Sequence, residues 1–198
     1  MKLSIVIPAF NTPELLIKCL ELIKENSTTN PRVIVIDNGS KPPLAEAIPL
    51  EMGLYTIMDY NKANTGNYPI YEQALRWTGD DVIAYLHSDL FVYEKGWDFR
   101  ILEAFRSNYK LGLTGFVGSN EIDIMGGRGY GTMSNFQGRK TGQWQGSSAE
   151  EHGKRITDLQ SAAVLDGCSL IFRKIALQDI GFRADFPPHH FYDRLFSC

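Results

Sequence analysis

Residues 82–86 read Val-Ile-Ala-Tyr-Leu, an unbroken apolar run that ends on the polar triplet His87-Ser88-Asp89. A strand with one wet face alternates apolar and polar residues, so an uninterrupted run implies burial on both faces. Burial on both faces requires helices on either side, which constrains the chain to an α/β architecture around a mostly parallel sheet. In such sheets the ligand crevice lies outside the carboxyl ends of the strands, and Asp89 falls there. One carboxylate in that place can hold a hard divalent cation whose shell is completed by phosphate oxygens and water. It can equally cap the turn that leaves the strand, and three residues do not separate the two roles.

The chain has 198 residues and 43% hydrophobic content, enough for one sizeable core and too little for two ordinary domains. A single domain over residues 1–198 is therefore expected. The net charge is −3, and basic residues form no cluster beyond scattered pairs such as Arg139-Lys140 and Lys154-Arg155, which disfavours a nucleic-acid partner. The apolar start is interrupted by Pro8 and Asn11, so it has neither the length of a secretory signal nor that of a membrane span. Cys19, Cys168 and Cys198 are few and far apart, a pattern of free thiols in a reducing, cytoplasmic compartment, without zinc-site spacing.

Residues 3–8 form a first buried strand, and Thr12-Pro13-Glu14 opens a helix with an N-cap residue followed by proline. Leu15, Leu16, Cys19, Leu20 and Ile23 give that helix one apolar stripe. Residues 33–36 are a second buried strand ending on Asp37-Asn38-Gly39-Ser40, and a right-handed crossover makes the two strands parallel. A third strand is expected at 54–58, then the polar loop 61–67 and a helix over 68–77 whose start suits a phosphate or sugar. A helix over 97–108 should turn Phe99, Leu102 and Phe105 inward, with a strand at 111–117 after it. Residues 119–160 read as a glycine-rich excursion carrying Tyr130, Phe136 and Trp144, of the length that marks a lid or binding loop. Gly127-Arg128-Gly129-Tyr130-Gly131 lacks the spacing and context of a dinucleotide motif. A turn at Asp166-Gly167 then runs into a last strand, a short helix over 174–180 ends at Gly181, and a final helix begins near Tyr192.

Six motifs in this order, Ser4 to Asn11, Val35 to Ser40 with its Asp37-Asn38-Gly39-Ser40, Asn64-Thr65-Gly66, His87-Ser88-Asp89, Asp166-Gly167, and His190-Phe191-Tyr192-Asp193, make the chain resemble the family 2 glycosyltransferases. The resemblance implies a GT-A fold, a Rossmann-like mixed, mostly parallel sheet flanked by helices that binds a nucleotide-diphosphate sugar. It implies that Pro8, Phe10 and Asn11 line the nucleobase pocket, with Phe10 stacking on the base, and that Asp37 accepts hydrogen bonds from base or ribose. Asn64 and Gly66 would approach the nucleotide, Gly66 permitting close backbone contact. Core packing for Phe10, a turn for Asp37 and a helix-capping loop for Asn64 and Gly66 are the plainer alternatives.

His87-Ser88-Asp89 stands at the family's Asp-x-Asp position with only the last carboxylate kept. The resemblance makes Asp89 the ligand of a Mg²⁺ or Mn²⁺ ion on the diphosphate, with His87 and Ser88 beside the nucleotide sugar and His87 tilting the preference toward Mn²⁺. Asp193 falls where the family has its general base, and an inverting in-line displacement by an acceptor hydroxyl follows. Asp166 and Gly167 resemble a sugar-contacting segment, although a turn explains them as well. Trp144, His189 and His190 are candidate contacts to acceptor or phosphate, or else loop anchors and solvated histidines.

An inverting transferase with a nucleotide-sugar donor, a UDP-sugar foremost, is the expected activity, and a carbohydrate or other hydroxyl compound the acceptor. A non-catalytic sugar- or nucleotide-binding module stays open because His87 replaces a carboxylate. A sugar nucleotidyltransferase would need a basic, glycine-rich loop where this chain has Pro8-Ala9-Phe10-Asn11. Members of the family continue past the position of Cys198, so the chain reads as truncated at that end, leaving apolar surface to be exposed or paired in a homo-oligomer.

Overall fold

The computed structural model describes residues 1–124, 131–134, 154–182 and 196. Strand β1 (Leu3–Ala9) leads through helix α1 (Pro13–Asn26) to β2 (Arg32–Asp37), and the short helix α2 (Leu44–Ala47) precedes β3 (Ile57–Tyr60). Helix α3 (Asn67–Ala74), β4 (Val82–Leu86) and α4 (Trp97–Ser107) follow. Next come β5 (Leu113–Thr114), β6 (Val117–Ser119), β7 (Thr132–Ser134), β8 (Lys154–Arg155) and β9 (Val164–Leu165), and β10 (Ser169–Arg173) runs into α5 (Lys174–Ile180). The main sheet has the order β3-β2-β1-β4-β10-β5, and β7, β6, β8 and β9 make a second one in the order β8-β7-β6-β9. In the main sheet β1 pairs parallel with both β2 and β4, while β10 runs antiparallel to β4.

The strand order is the consequence that matters for a site. The chain winds outward from β1 to β2 and β3, then returns to the other side of β1 as β4. The crossovers on the two sides of β1 leave in opposite directions, which opens a crevice at the carboxyl ends of β1 and β4. Because β10 is antiparallel, its beginning, and not its end, lies at that same edge, with Ser169 opposite Leu86.

Burial on both faces is complete along the central strands β1 and β4. Ile5, Ile7, Val35 and Ala84 pack under α1 and α4, while Val6, Ile34, Ile36, Ile83 and Tyr85 pack under α3 and α5. Helix α1 has no side-chain cap, since Thr12 makes none. A cap is worth about 1 kcal/mol, whereas each fully buried Leu or Ile contributes roughly 1.5–3 kcal/mol. Packing of Leu16, Leu20 and Ile23 therefore holds α1 in place.

Several sequence expectations shift. The third strand is 57–60 and not 54–58: Leu54 and Tyr55 are buried, but as a lead-in whose Tyr55 hydroxyl donates to the Ile48 carbonyl. The single strand expected at 111–117 is two strands in two sheets, broken at Gly115, where any Cβ would come within 2.4 Å of the Ser169 carbonyl oxygen. Phe99 and Leu15 point outward. The buried stripe of α4 is Trp97, Asp98, Ile101, Leu102 and Phe105, and position 99 lies off that arc.

The buried acid in that stripe is a structural clamp. Asp98 accepts bonds from the Thr28 amide (3.0 Å), the Thr29 amide (2.7 Å) and the Thr29 hydroxyl (2.6 Å), tying α4 to the end of α1. Burial pushes its carboxyl up, but the bonds from Thr29, Thr28 and the Phe99 amide outweigh this and hold it below the usual aspartate range. A depressed folded-state value stabilises the fold above the unfolded value of about 3.9, and that contribution fades as pH falls through the folded value. Asp98→Ala is expected to cost about 2–4 kcal/mol at neutral pH. Thermal unfolding of both proteins across pH checks it: the gap should narrow below about pH 4, and a gap independent of pH would refute the clamp.

Candidate functional site

Four segments meet at the carboxyl edge of β1 and β4. From β1 come Phe10, Asn11 and Thr12; from β2, Asp37 to Ser40; from β4, His87 to Asp89; and from the antiparallel start of β10, Asp166 to Cys168. Hydrogen bonds across the edge lock them together. The Asn38 amide donates to the Ala9 carbonyl (2.8 Å), and the His87 amide to the Cys168 carbonyl (3.0 Å). The Thr12 and Ser88 hydroxyls lie 3.2 Å apart in a shared bond, so the residue expected to cap α1 instead bridges β1 and β4.

Asp89 is exposed at this mouth, two residues beyond half-buried His87. Its charge is felt beneath the edge: the Cys19 thiol, which donates weakly to the His87 carbonyl at 3.9 Å, is pushed up to about 12, by burial first and by Asp89 second. Cys19 is thus an inert core thiol.

The other candidates divide by exposure. Phe10 is 42% exposed just past the end of β1, and Asn64 is exposed as well. Asn11 has a left-handed backbone (φ 54), its amide bonded to the Ser40 hydroxyl and its Oδ1 accepting from the Lys41 amide, so it latches the first two strand ends. Pro8 is buried within β1. Asp37 is 1% exposed, with Oδ1 taking the Ser40 amide (2.9 Å) and Oδ2 the Leu44 amide (2.7 Å), and it builds the turn to α2. Asp166 Oδ1 takes the Cys168 amide (2.8 Å) in a turn over buried Gly167. Asp193, Trp144, His189 and His190 lie outside the described residues.

Asn38 plays a part that its sequence context hid. It is 3% exposed and joins the β2 end to the loop before α3, through bonds with Asn61, Asn64, Thr65 and Gly66. Asn-Gly reads as a turn, and no local pattern reports bonds to a loop more than twenty residues away.

Among the described residues no three His, Cys, Asp or Glu side chains converge as a metal site. A single exposed carboxylate still fits Mg²⁺ or Mn²⁺, which take one or two protein carboxylates and draw the remaining oxygens from phosphate and water. A cavity of about 570 Å³ between α4 and the β5–β6 segment, lined by Trp97, Arg100, Phe116 and Leu165, contains none of these candidates.

A doubly wound sheet with one antiparallel strand beyond β4 is the architecture of GT-A glycosyltransferases, and solved structures of that class match it. Residues 4–180 match the profile of Glycosyl transferase family 2, and the chain belongs to that family. TarS of S. aureus is similar in fold over 100% of this chain and 33% of its own, with 17% identity and a TM-score of 0.63. The mannosyltransferase PcManGT from Pyrobaculum calidifontis, in complex with GDP-Man and Mn²⁺, is similar over 99% of this chain and 50% of its own, with 12% identity and a TM-score of 0.64. TarS 1-349 in complex with UDP-GlcNAc is similar over 100% of this chain and 52% of its own, with 16% identity and a TM-score of 0.61. The chain thus spans a third to a half of these proteins. No curated protein matches the sequence. Among the described residues no helix is long and apolar enough to cross a membrane.

Proposed function

We propose that the chain is an inverting glycosyltransferase that moves a sugar from a nucleoside-diphosphate donor, a UDP-sugar foremost, to an acceptor hydroxyl. The observation that carries this reading is the meeting of the β1, β2 and β4 ends with exposed Asp89 at their mouth, in a member of family 2. Exposed Phe10 offers a ring for the base, with Asn11 and Asp37 fixing the turns around it. Asn64 faces the nucleotide from the loop before α3, while buried Gly66 bonds through its amide and carbonyl to Asn64 and Asn38 and shapes that loop. His87 and Ser88 flank the diphosphate, and Asp166 with Gly167 the sugar.

Asp89 would hold a divalent cation, Mn²⁺ or Mg²⁺, which when bound offsets the negative charge that develops on the departing nucleoside diphosphate. The neighbour holding GDP-Man and Mn²⁺ supports that pairing of ligands. Asp193, by its place in the resemblance, withdraws the acceptor proton as the hydroxyl attacks the anomeric carbon from the face opposite the leaving group. Trp144, His189 and His190 belong on the acceptor or phosphate side of the same site.

The test is a product assay. The chain is incubated with UDP-GlcNAc and, separately, GDP-Man, each with Mn²⁺ and a panel of hydroxyl acceptors, and the released diphosphate and product configuration are followed by NMR. Release of one diphosphate with inversion at the anomeric carbon is the expected result. Retention of configuration contradicts the mechanism. Tight binding without turnover favours a non-catalytic module, the reading that His87 in place of a carboxylate also supports.

A further inference from the structure

Two neighbouring residues at the end of β2 make an unusual seam with the loop that precedes α3. Gly39 has φ +89, and a Cβ built on it would sit 2.7 Å from the Ala63 carbonyl carbon and 2.8 Å from its Cα. Backbone there meets backbone, and only glycine allows it. Beside it, Asn38 is 3% exposed, and its side chain is fully used. Its Oδ1 accepts from Asn61 Nδ2 (3.2 Å), the Thr65 amide (3.0 Å) and the Thr65 hydroxyl (3.1 Å). Its Nδ2 donates to Asn64 Oδ1 (2.9 Å) and toward the Gly66 carbonyl (3.4 Å). Asn64 Oδ1 in turn accepts from the Gly66 amide (2.9 Å), and the Asn61 amide donates to the Asp37 carbonyl (2.8 Å).

This is one buried amide reading both ends of a six-residue loop. A burial with all of its hydrogen-bonding capacity met is stabilising, and a burial with part of it unmet costs about 1–3 kcal/mol per orphaned group. The loop has no comparable hold from apolar packing, because 62–65 are exposed. Its position relative to the β1 and β2 mouths therefore depends on Asn38, which itself is tied to β1 through the bond from its amide to the Ala9 carbonyl.

We infer that Asn38 is a positioning residue for nucleotide binding: it holds the Asn61–Gly66 loop as a preformed wall of the donor crevice, so that the exposed part of the loop around Asn64 meets a nucleoside diphosphate without an ordering cost. The inference rests on the nucleotide-sugar reading of this site. It assigns the affinity to residue 38, which touches the loop and not the ligand. Preorganisation of this kind appears in the dissociation constant, because a loop that must be ordered on binding takes that free energy from the complex.

The test uses Asn38→Ala and Asn38→Asp in the full chain. Asn38→Asp keeps the acceptor toward Asn61 and Thr65 but sets a carboxylate against Asn64 Oδ1 and the Gly66 carbonyl, where a donor is required. Affinity for UDP and for GDP with Mn²⁺ is measured by fluorescence titration, cooperative unfolding by calorimetry, and amide exchange by NMR. Both variants are expected to unfold cooperatively, to exchange faster at Thr65 and Gly66 but not in β1 or β4, and to bind nucleotide at least about tenfold more weakly. Wild-type affinity in both folded variants overturns the inference and leaves the nucleotide reading intact. Loss of cooperative folding in both makes Asn38 a folding residue and also overturns it. A wild-type chain that binds neither nucleotide removes the functional reading and the inference with it.

Discussion

Asp89→Ala is expected to lower affinity for the nucleoside diphosphate by at least about a hundredfold in the presence of Mn²⁺, because even the outer partners of a metal ligand are worth 10- to 100-fold. Asp89 is the exposed carboxylate of the β4 mouth, and among the described residues no group of three His, Cys, Asp or Glu side chains gathers there. A cation held by one protein carboxylate and the phosphates has no reserve when that carboxylate goes. The loss should be confined to the metal-containing titration, with binding in chelator equal in the variant and the wild type. Melting temperature should hardly move, since an exposed side chain contributes little to the core. The same substitution should lower the Cys19 thiol pKa slightly, because one of the two influences raising it is removed. A variant that binds as the wild type does would place the cation, or the phosphates, elsewhere.

Asp193→Asn is expected to leave nucleotide binding intact and to slow transfer by about 10²- to 10⁴-fold, the usual worth of a general base. The side chain keeps its shape and loses its basicity, so the deficit should lie in kcat while the donor KM stays as it was. Steady-state rates with saturating donor measure this. An unchanged kcat would move the base to another acid of the mouth, and Asp166 would be examined next.

Much of the main sheet was legible because its strands carry their own evidence. The runs 3–8, 33–36 and 82–86 are apolar without a break, and the structure places Leu3–Ala9, Arg32–Asp37 and Val82–Leu86 at the centre of the sheet. The residues that follow each run mark the strand mouths, which is why Phe10, Asp37 and Asp89 could be brought to one edge from sequence, whereas Asp166, which precedes β10, came from the family resemblance. What the sequence hid depends on contacts between distant segments. Nothing near Leu113 signals that Gly115 must fit under the Ser169 carbonyl and so divide one expected strand between two sheets. The strands β7 and β8 are three and two residues long, too short for any period, and they exist through their pairing with each other and with β6. Phe99 looked like core by type, yet the arc set by Trp97, Ile101 and Phe105 excludes it. Asp37 and Asn38 reverse the ranking that sequence suggests. The acid, chosen for a ligand, spends both oxygens on its own turn, while the amide, passed over as a turn residue, organises a loop twenty-three residues away at Asn61.

Calorimetric titration of the chain with UDP and with GDP, each in Mn²⁺ and again in chelator, tests the central claim most directly. Micromolar binding of one diphosphate that disappears on chelation is the predicted result, and it would establish the β1–β4 mouth as a metal-assisted donor site. Absence of binding by either nucleotide, or binding of equal strength in chelator, would contradict it.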